Sequence, residues 1–321
     1  MRRRGVFWLI PAAVLPAASQ GQQLAPARIG IAEFGNPPDS GAARIFMQGL
    51  SDAGYRETIN LRVERRYASG RAERYPELLR DLAGQKLQLV FVVGHDIAKV
   101  AKTAIPDIAV VTAGSEDPVA SGLIRSFNRP GGNITGVSYI SPELAPKRLE
   151  LLKQAVPGLE RLGVLWEPAH ADTYYQNLRS VAGQFGMDVQ LAEIEKSGDL
   201  DAALSALRDA RVQALFVVPS RLTGFAQPRI VEFAAAARLP SMSAYRSFAE
   251  AGGLMSYGAS TRESLLRASA QGLRILGGAN PADIPFELPR RFEFVLNQKV
   301  AHALGVVLPQ AMLLRADEVI R

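Results

Sequence analysis

Side chains able to ligate, attack or transfer protons are few in this sequence and poorly grouped. It holds three histidines, His95, His170 and His302, and no two of them stand at the spacing that places two ligands on one helix face. His302 falls in an apolar-periodic stretch, Val300 to Leu304, and reads as an ordinary helix residue. There is no cysteine, so disulfides, thiol nucleophiles and thiolate metal sites are all excluded. No HExxH, GxSxG or Walker A string occurs, and no GxGxxG follows the first strand. Glu33 and Glu167 are the carboxylates best placed to work as an acid and base pair across a cleft. They stand at matching places in an internal repeat, which fits a cleft lining better than catalysis. The inventory argues for a binding protein with no catalytic residues, no metal and no cofactor.

The repeat is what positions these residues. From Arg28 the chain reads RIGIAEF, a helical stretch from Ala42 to Ala53, LRVERRY, a second helical stretch from Ala72 to Leu82, then LQLVFVVG. From Arg161 it reads RLGVLWE, a helical stretch from Thr173 to Phe185, MDVQLAEI, a second from Leu200 to Ala210, then VQALFVVPS. Each half is strand, helix, strand, helix, strand. The continuous apolar runs Leu89 to Val93 and Ala214 to Val218 are typical of strands buried on both faces. Right-handed crossovers then predict two Rossmann-like α/β lobes, each with a parallel sheet covered by helices on both sides. The later segments SMSAY, GGLMSYG, a long helix from Arg262 to Leu276 and FELPRRFEFVLN are surplus to two simple repeats. We expect GGLMSYG and its helix to return to lobe one and the last segment to join lobe two.

Open parallel sheets bind ligands beyond the carboxyl ends of their strands, where helix N-termini offer free N–H groups. That rule selects the loops carrying Phe34, Gly94, His95, Asp96, Ser115, Asp117, Trp166, Glu167, Tyr174, Ser220, Tyr245 and Arg246 as ligand-binding candidates. Arg221 and Arg246 would give a fixed cationic side for a carboxylate, with Ser115 and the N–H groups after Gly94 facing the same cleft. The apolar body of the ligand would lie on Phe34, Trp166 or Tyr174. An anionic or zwitterionic ligand follows from this arrangement, rather than a neutral sugar.

The N-terminus reads MRRRGVFWLIPAAVLPAASQGQQ: three arginines, an apolar stretch from Val6 to Leu15, then small residues. That order predicts a cleavable signal peptide over 1–22, and the apolar run is too short for a bilayer span and broken by Pro11 and Pro16. Either the general secretory or the twin-arginine route fits. The formal charge of +6 comes from 37 Lys and Arg against 31 Asp and Glu, and three of the arginines lie at 2–4, leaving 34 against 31 once they are removed. With no run of five or six basic residues, no nucleic-acid surface is expected. The lack of a cysteine to lipidate points to a soluble periplasmic protein.

Several strings are long enough to be specific: SEDPVASGLI, RPGGNITGVS, KRLELLKQAVPG, AGGLMSYG, GGANPADIPFELPRRFEFVLN and the closing LLRADEVI. From Arg28 to Arg321 the chain resembles the substrate-binding proteins of bacterial ABC transporters, of the tryptophan and tyrosine transport-system type. The resemblance implies a type I periplasmic-binding-protein-like fold with a three-crossing hinge, closing on its ligand by hinge motion. With the placement of GGLMSYG, its helix and the last segment expected above, lobe one is 24–138 plus 250–283 and lobe two is 139–249 plus 284–321. The resemblance also implies an ABC permease with its ATPase as partner, a small carboxylate-bearing, amino-acid-like or aromatic-acid ligand, and a monomer. A binding protein feeding a sensory receptor, or less readily an α/β enzyme using Glu33, His95 or Glu167, is the competing reading.

Against the family's pattern, the loop after the third strand carries Gly94, His95 and Asp96 where a small residue and threonine are common. Ser220 and Arg221 stand where relatives that take aromatic amino acids have an acidic or amide pair, and Glu167 stands where an amide is frequent. The resemblance therefore implies that the partner of a ligand ammonium has moved to Glu167 or Asp96.

Overall fold

The structure is a computed structural model. It describes residues 24–114, 117–138, 142–168 and 172–321, the side chains of 142 and 172–177 excepted. The expected signal segment, Ser115 and the side chain of Tyr174 lie outside the described residues.

The first lobe starts with β1 (Ala27–Glu33), α1 (Gly41–Asp52), β2 (Leu61–Tyr67), α2 (Tyr75–Ala83), β3 (Leu89–Val93), α3 (His95–Ala104), β4 (Ala109–Gly114) and β5 (Ile134–Ser138). All its strands pair in parallel, in the order β2-β1-β3-β4-β5. β3, the apolar run LVFVV, lies between two other strands and is buried over its first four residues. Helix α1 begins where Ser40 caps it, its hydroxyl accepting from the Ala43 N–H at 3.2 Å, and it buries Ala43, Phe46 and Leu50 on one face. The Phe46 ring stacks on Phe91 of β3 at 3.9 Å between centroids, fixing that helix to the sheet.

The second lobe follows with α4 (Ala145–Ala155), β6 (Arg161–Trp166), α5 (Asp172–Gln184), β7 (Asp188–Glu193), α6 (Leu200–Asp209), β8 (Ala214–Val217), α7 (Arg221–Phe225), α8 (Gln227–Ala236), β9 (Ser241–Ser243), α9 (Arg246–Glu250) and β10 (Met255–Ala259). Then come α10 (Thr261–Leu276), β11 (Phe292–Asn297), α11 (Gln298–Leu304), α12 (Gln310–Arg315) and β12 (Glu318–Ile320). The second sheet runs β12-β11-β10-β9-β8-β6-β7, parallel except for β10 against β11. Both sheets reverse strand order beside their first strand, between β1 and β3 in one and between β6 and β8 in the other. Such a switch point opens a crevice at the strand ends.

One expectation is corrected. GGLMSYG does not return to lobe one: β10 joins the second sheet, between β9 and β11. The Arg148 guanidinium, buried in α4, donates to the Tyr257 carbonyl at 2.6 Å and ties the strand there. Only the following helix crosses back. α10 packs on α1, β4 and β5, and the Ser269 hydroxyl donates to the Phe46 carbonyl at 2.9 Å. The chain stays in lobe one through Glu287, whose N–H donates to the Gly136 carbonyl at 2.9 Å. The boundaries therefore fall near Ser260 and after Glu287 rather than at 249/250 and 283/284. These two later crossings lie side by side, joined by the Ser260 N–H to the Arg291 carbonyl at 2.8 Å.

Candidate functional site

A cavity of about 1070 Å³ lies between the lobes at their strand ends. Lobe one contributes the end of β1 with Glu33 and Phe34, the start of α1, Tyr75, the turn from β3 into α3, and the start of α10. Lobe two contributes Ser220, Arg221 and Phe225 around α7, Tyr245 and Arg246 at the start of α9, and Glu293. Its wall is mainly apolar, with a few fixed polar groups, as small-ligand sites are.

The turn after β3 is shaped by Gly94, whose φ of +114° is strained for any residue with a side chain. No side chain caps α3 at Gly94, and His95, Asp96 and Ile97 of its first turn line the cavity. Glu33 ends the neighbouring strand and is 3% exposed. Its carboxylate accepts from both the backbone N–H of Ser40, at 3.0 Å, and the Ser40 hydroxyl. Burial pushes the Glu33 carboxyl above its ordinary range, and the bonds from Ser40 pull against that.

On the opposite wall, Ser220 caps α7 through the Thr223 N–H at 3.1 Å, so its hydroxyl is already engaged. Arg221 reaches out from the next position. Its guanidinium meets Glu167 at 2.6 Å and, across the cleft, Asp96 at 2.9 Å. It lies 4.8 Å from the centre of the Phe34 ring and donates to the Tyr75 hydroxyl. Burial disfavours the charged guanidinium, and Glu167 and Asp96 outweigh it, raising its pKa. Phe34 also meets Phe225 edge to face at 5.4 Å, and Tyr75 at 6.4 Å.

Of the sequence candidates, Phe34, Gly94, His95, Asp96, Ser220, Tyr245 and Arg246 line this cavity together. Three others are placed differently. Trp166 is 3% exposed and belongs to the apolar core of lobe two, because it ends β6 on the face covered by α4 and α5. Glu167 is fully buried beneath Arg221, its second oxygen accepting the Leu222 N–H at 3.1 Å. Asp117 is exposed and accepts the N–H groups of Val119 and Ala120 at 2.8 and 3.1 Å, shaping its own turn. The expected free cationic side is also corrected. Arg221 is held by two carboxylates, and Arg246 by Glu250 at 2.6 Å and by Glu318. Tyr75, Phe225 and Leu265 also line the cavity without lying on strand-end loops: Tyr75 begins α2 eight residues past β2, Phe225 ends α7, and Leu265 lies within α10. Among the described residues no cluster of His, Asp or Glu could hold a metal ion, and no helix is long and apolar enough to cross a membrane.

Two α/β lobes with reversed strand order, facing each other across one lined cavity, define a two-lobed small-molecule receptor. Residues 39–320 match the family described as ABC transporter substrate binding protein, and the chain belongs to that family. A tyrosine-binding protein of Clostridioides difficile (strain R20291) is 25% identical over 282 residues, 87% of this chain and 81% of that one. Among solved structures, a conserved domain protein from Vibrio cholerae superposes with a TM-score of 0.81 at 25% identity, covering 91% of this chain and 99% of that one. A domain from Streptococcus pneumoniae in complex with L-Trp also gives 0.81, at 23% identity, over 92% of this chain and 100% of that one. A ligand-free, open substrate-binding protein from Clostridium difficile gives 0.63 at 23% identity, over 92% and 99%.

Proposed function

We propose that the chain is the exported, non-catalytic receptor of an ABC importer. Segment 1–22 directs it to the periplasm, where it works as a soluble monomer and passes its ligand to a permease driven by an ATPase. The ligand is amino-acid-like, with an aromatic or apolar body. The observation that carries this reading is the cavity itself, built from strand-end loops of both lobes and walled by Phe34, Tyr75, Phe225 and Tyr245.

The head group is assigned by two adjacent strand ends. The N-terminus of α3, with no side-chain cap at Gly94, suits a carboxylate through its helix dipole. Glu33 ends β1, so its backbone lies one strand spacing, ~4.8 Å, from β3, the strand that leads into that helix. A zwitterion fits that pair of opposite charges. The neighbours that bind tyrosine or hold L-Trp support an aromatic body.

A thermal-unfolding screen against amino acids, aromatic acids and sugars tests the reading. A ligand present at a hundred times its Kd stabilises the folded protein by about 2.7 kcal/mol. Aromatic amino acids are expected to raise the unfolding temperature and sugars to leave it unchanged. A response to sugars alone would overturn the assignment of the head group.

A further inference from the structure

We propose that Arg221 is the fastener that draws the two lobes together and that Glu167 is its positioning residue, so that closure is sustained by the protein's own groups as well as by the ligand. Arg221 belongs to lobe two, and Asp96, Phe34 and Tyr75, which hold it, all belong to lobe one. The guanidinium is aimed by Glu167. That carboxylate is wholly buried in lobe two, takes one guanidinium nitrogen at 2.6 Å and the Leu222 N–H at 3.1 Å, and leaves the other nitrogen directed at Asp96. A long side chain anchored at one nitrogen loses little further freedom on meeting a partner with the other.

The fastener is reinforced by contacts that involve no ligand. Phe225 of lobe two meets the Phe34 ring edge to face, and a Cβ on Gly70 of lobe one would come within 3.3 Å of the Phe225 ring. The Ser197 hydroxyl donates to the Gly70 carbonyl at 3.4 Å across the same gap. One buried apolar cluster continues from Phe34, Ala68 and Tyr75 in lobe one to Ile194 and Leu222 in lobe two. Of these residues, Phe34, Tyr75 and Phe225 also line the cavity.

A binding protein whose closed state is already favoured spends less of its ligand's binding energy on closing, because apparent affinity scales with the population of the competent state. This rests on the receptor reading above for its purpose but not for its geometry. A residue that fastens lobes affects every ligand by the same factor, whereas a residue that grips a ligand carboxylate affects only ligands that have one.

The chain has no cysteine, so Ala83→Cys on α2 and Ala206→Cys on α6, both exposed, give two clean sites for spin labels. Their distance distribution is measured in the ligand-free protein with and without Asp96→Asn, a substitution at a side chain one-third exposed. Asp96→Asn is expected to shift the distribution to longer distances. In the protein that keeps Asp96, 1 M salt should do the same, because the screening length falls to about 3 Å from about 10 Å at 0.1 M. Distributions unchanged by both would overturn the proposal. In ligand titrations Asp96→Asn should weaken every ligand about fivefold, with or without a carboxylate. A loss confined to carboxylate ligands would show instead that the pair belongs to the ligand subsite. If no amino acid binds, the receptor assignment fails while the ligand-free distances still decide the fastener.

Discussion

Glu33 is held in a place that a carboxylate enters only with partners. It is buried beside the cavity, its oxygens receive the N–H and hydroxyl of Ser40, and the charges that face it are Asp39 and Arg65. Burial is the dominant influence on its pKa and raises it, with Ser40 and Arg65 opposing and Asp39 adding to the rise. The folded state therefore holds the Glu33 proton more tightly than the unfolded chain. Its contribution to stability is fully present below the ordinary value of 4.5 and is lost as pH rises through the raised one. Glu33→Gln removes that loss. Urea unfolding from pH 4 to 7 should show the wild type losing stability relative to Glu33→Gln as pH rises above 4.5, and parallel curves would contradict it. At this scale the sequence was legible where strand-end geometry decides: Phe34, the Gly94 turn, Ser220, Tyr245 and Arg246 all border the cavity. It was not legible where ion pairing decides. The spacing of Glu167, Arg221 and Asp96 along the chain gives no sign that one guanidinium joins the other two, since they come from three different strand ends and both lobes.

Helix α10 shows how an element is assigned to a lobe by a single close crossing. Gly49 of α1 faces Ser269 of α10 so closely that a Cβ on Gly49 would lie 2.5 Å from the Ser269 Cβ. Two opposing effects act on Gly49→Ala. Alanine favours the helix by roughly 0.8–1.0 kcal/mol, and forcing the crossing apart costs about 1–3 kcal/mol. The second should win because the clash is with a Cβ, which cannot rotate away. Gly49→Ala should therefore lower the unfolding free energy by up to ~2 kcal/mol, and a stabilised variant would show that the two helices separate freely. The same element scale explains which parts of the fold could be read. Strand β2 spans the predicted LRVERRY, and α1, α5 and α6 begin or end within a residue of the apolar periodicity, because each buries one face. The destination of GGLMSYG was not readable. Its apolar run suits either sheet, and what decides is contact with partners distant in sequence: Arg148 on the Tyr257 carbonyl, and the Gly258 position, where a Cβ would lie 2.3 Å from the Ala244 carbonyl oxygen.

For the whole molecule, the internal repeat sufficed to give two α/β lobes, since each half repeats a strand order that opens a crevice at its switch point, and a cavity lies between them. In the proposed function, the cavity between these lobes takes an amino-acid-like ligand with an aromatic or apolar body. Calorimetric titration with L-tyrosine and L-tryptophan tests it most directly when the purified protein is compared with Ala42→Trp, a substitution of a half-buried residue on the cavity wall at the start of α1. Saturable binding of one ligand per chain is expected for at least one of the two amino acids, and its loss in a folded Ala42→Trp protein. Undiminished affinity after the cavity is filled, or binding of neither amino acid, would contradict it.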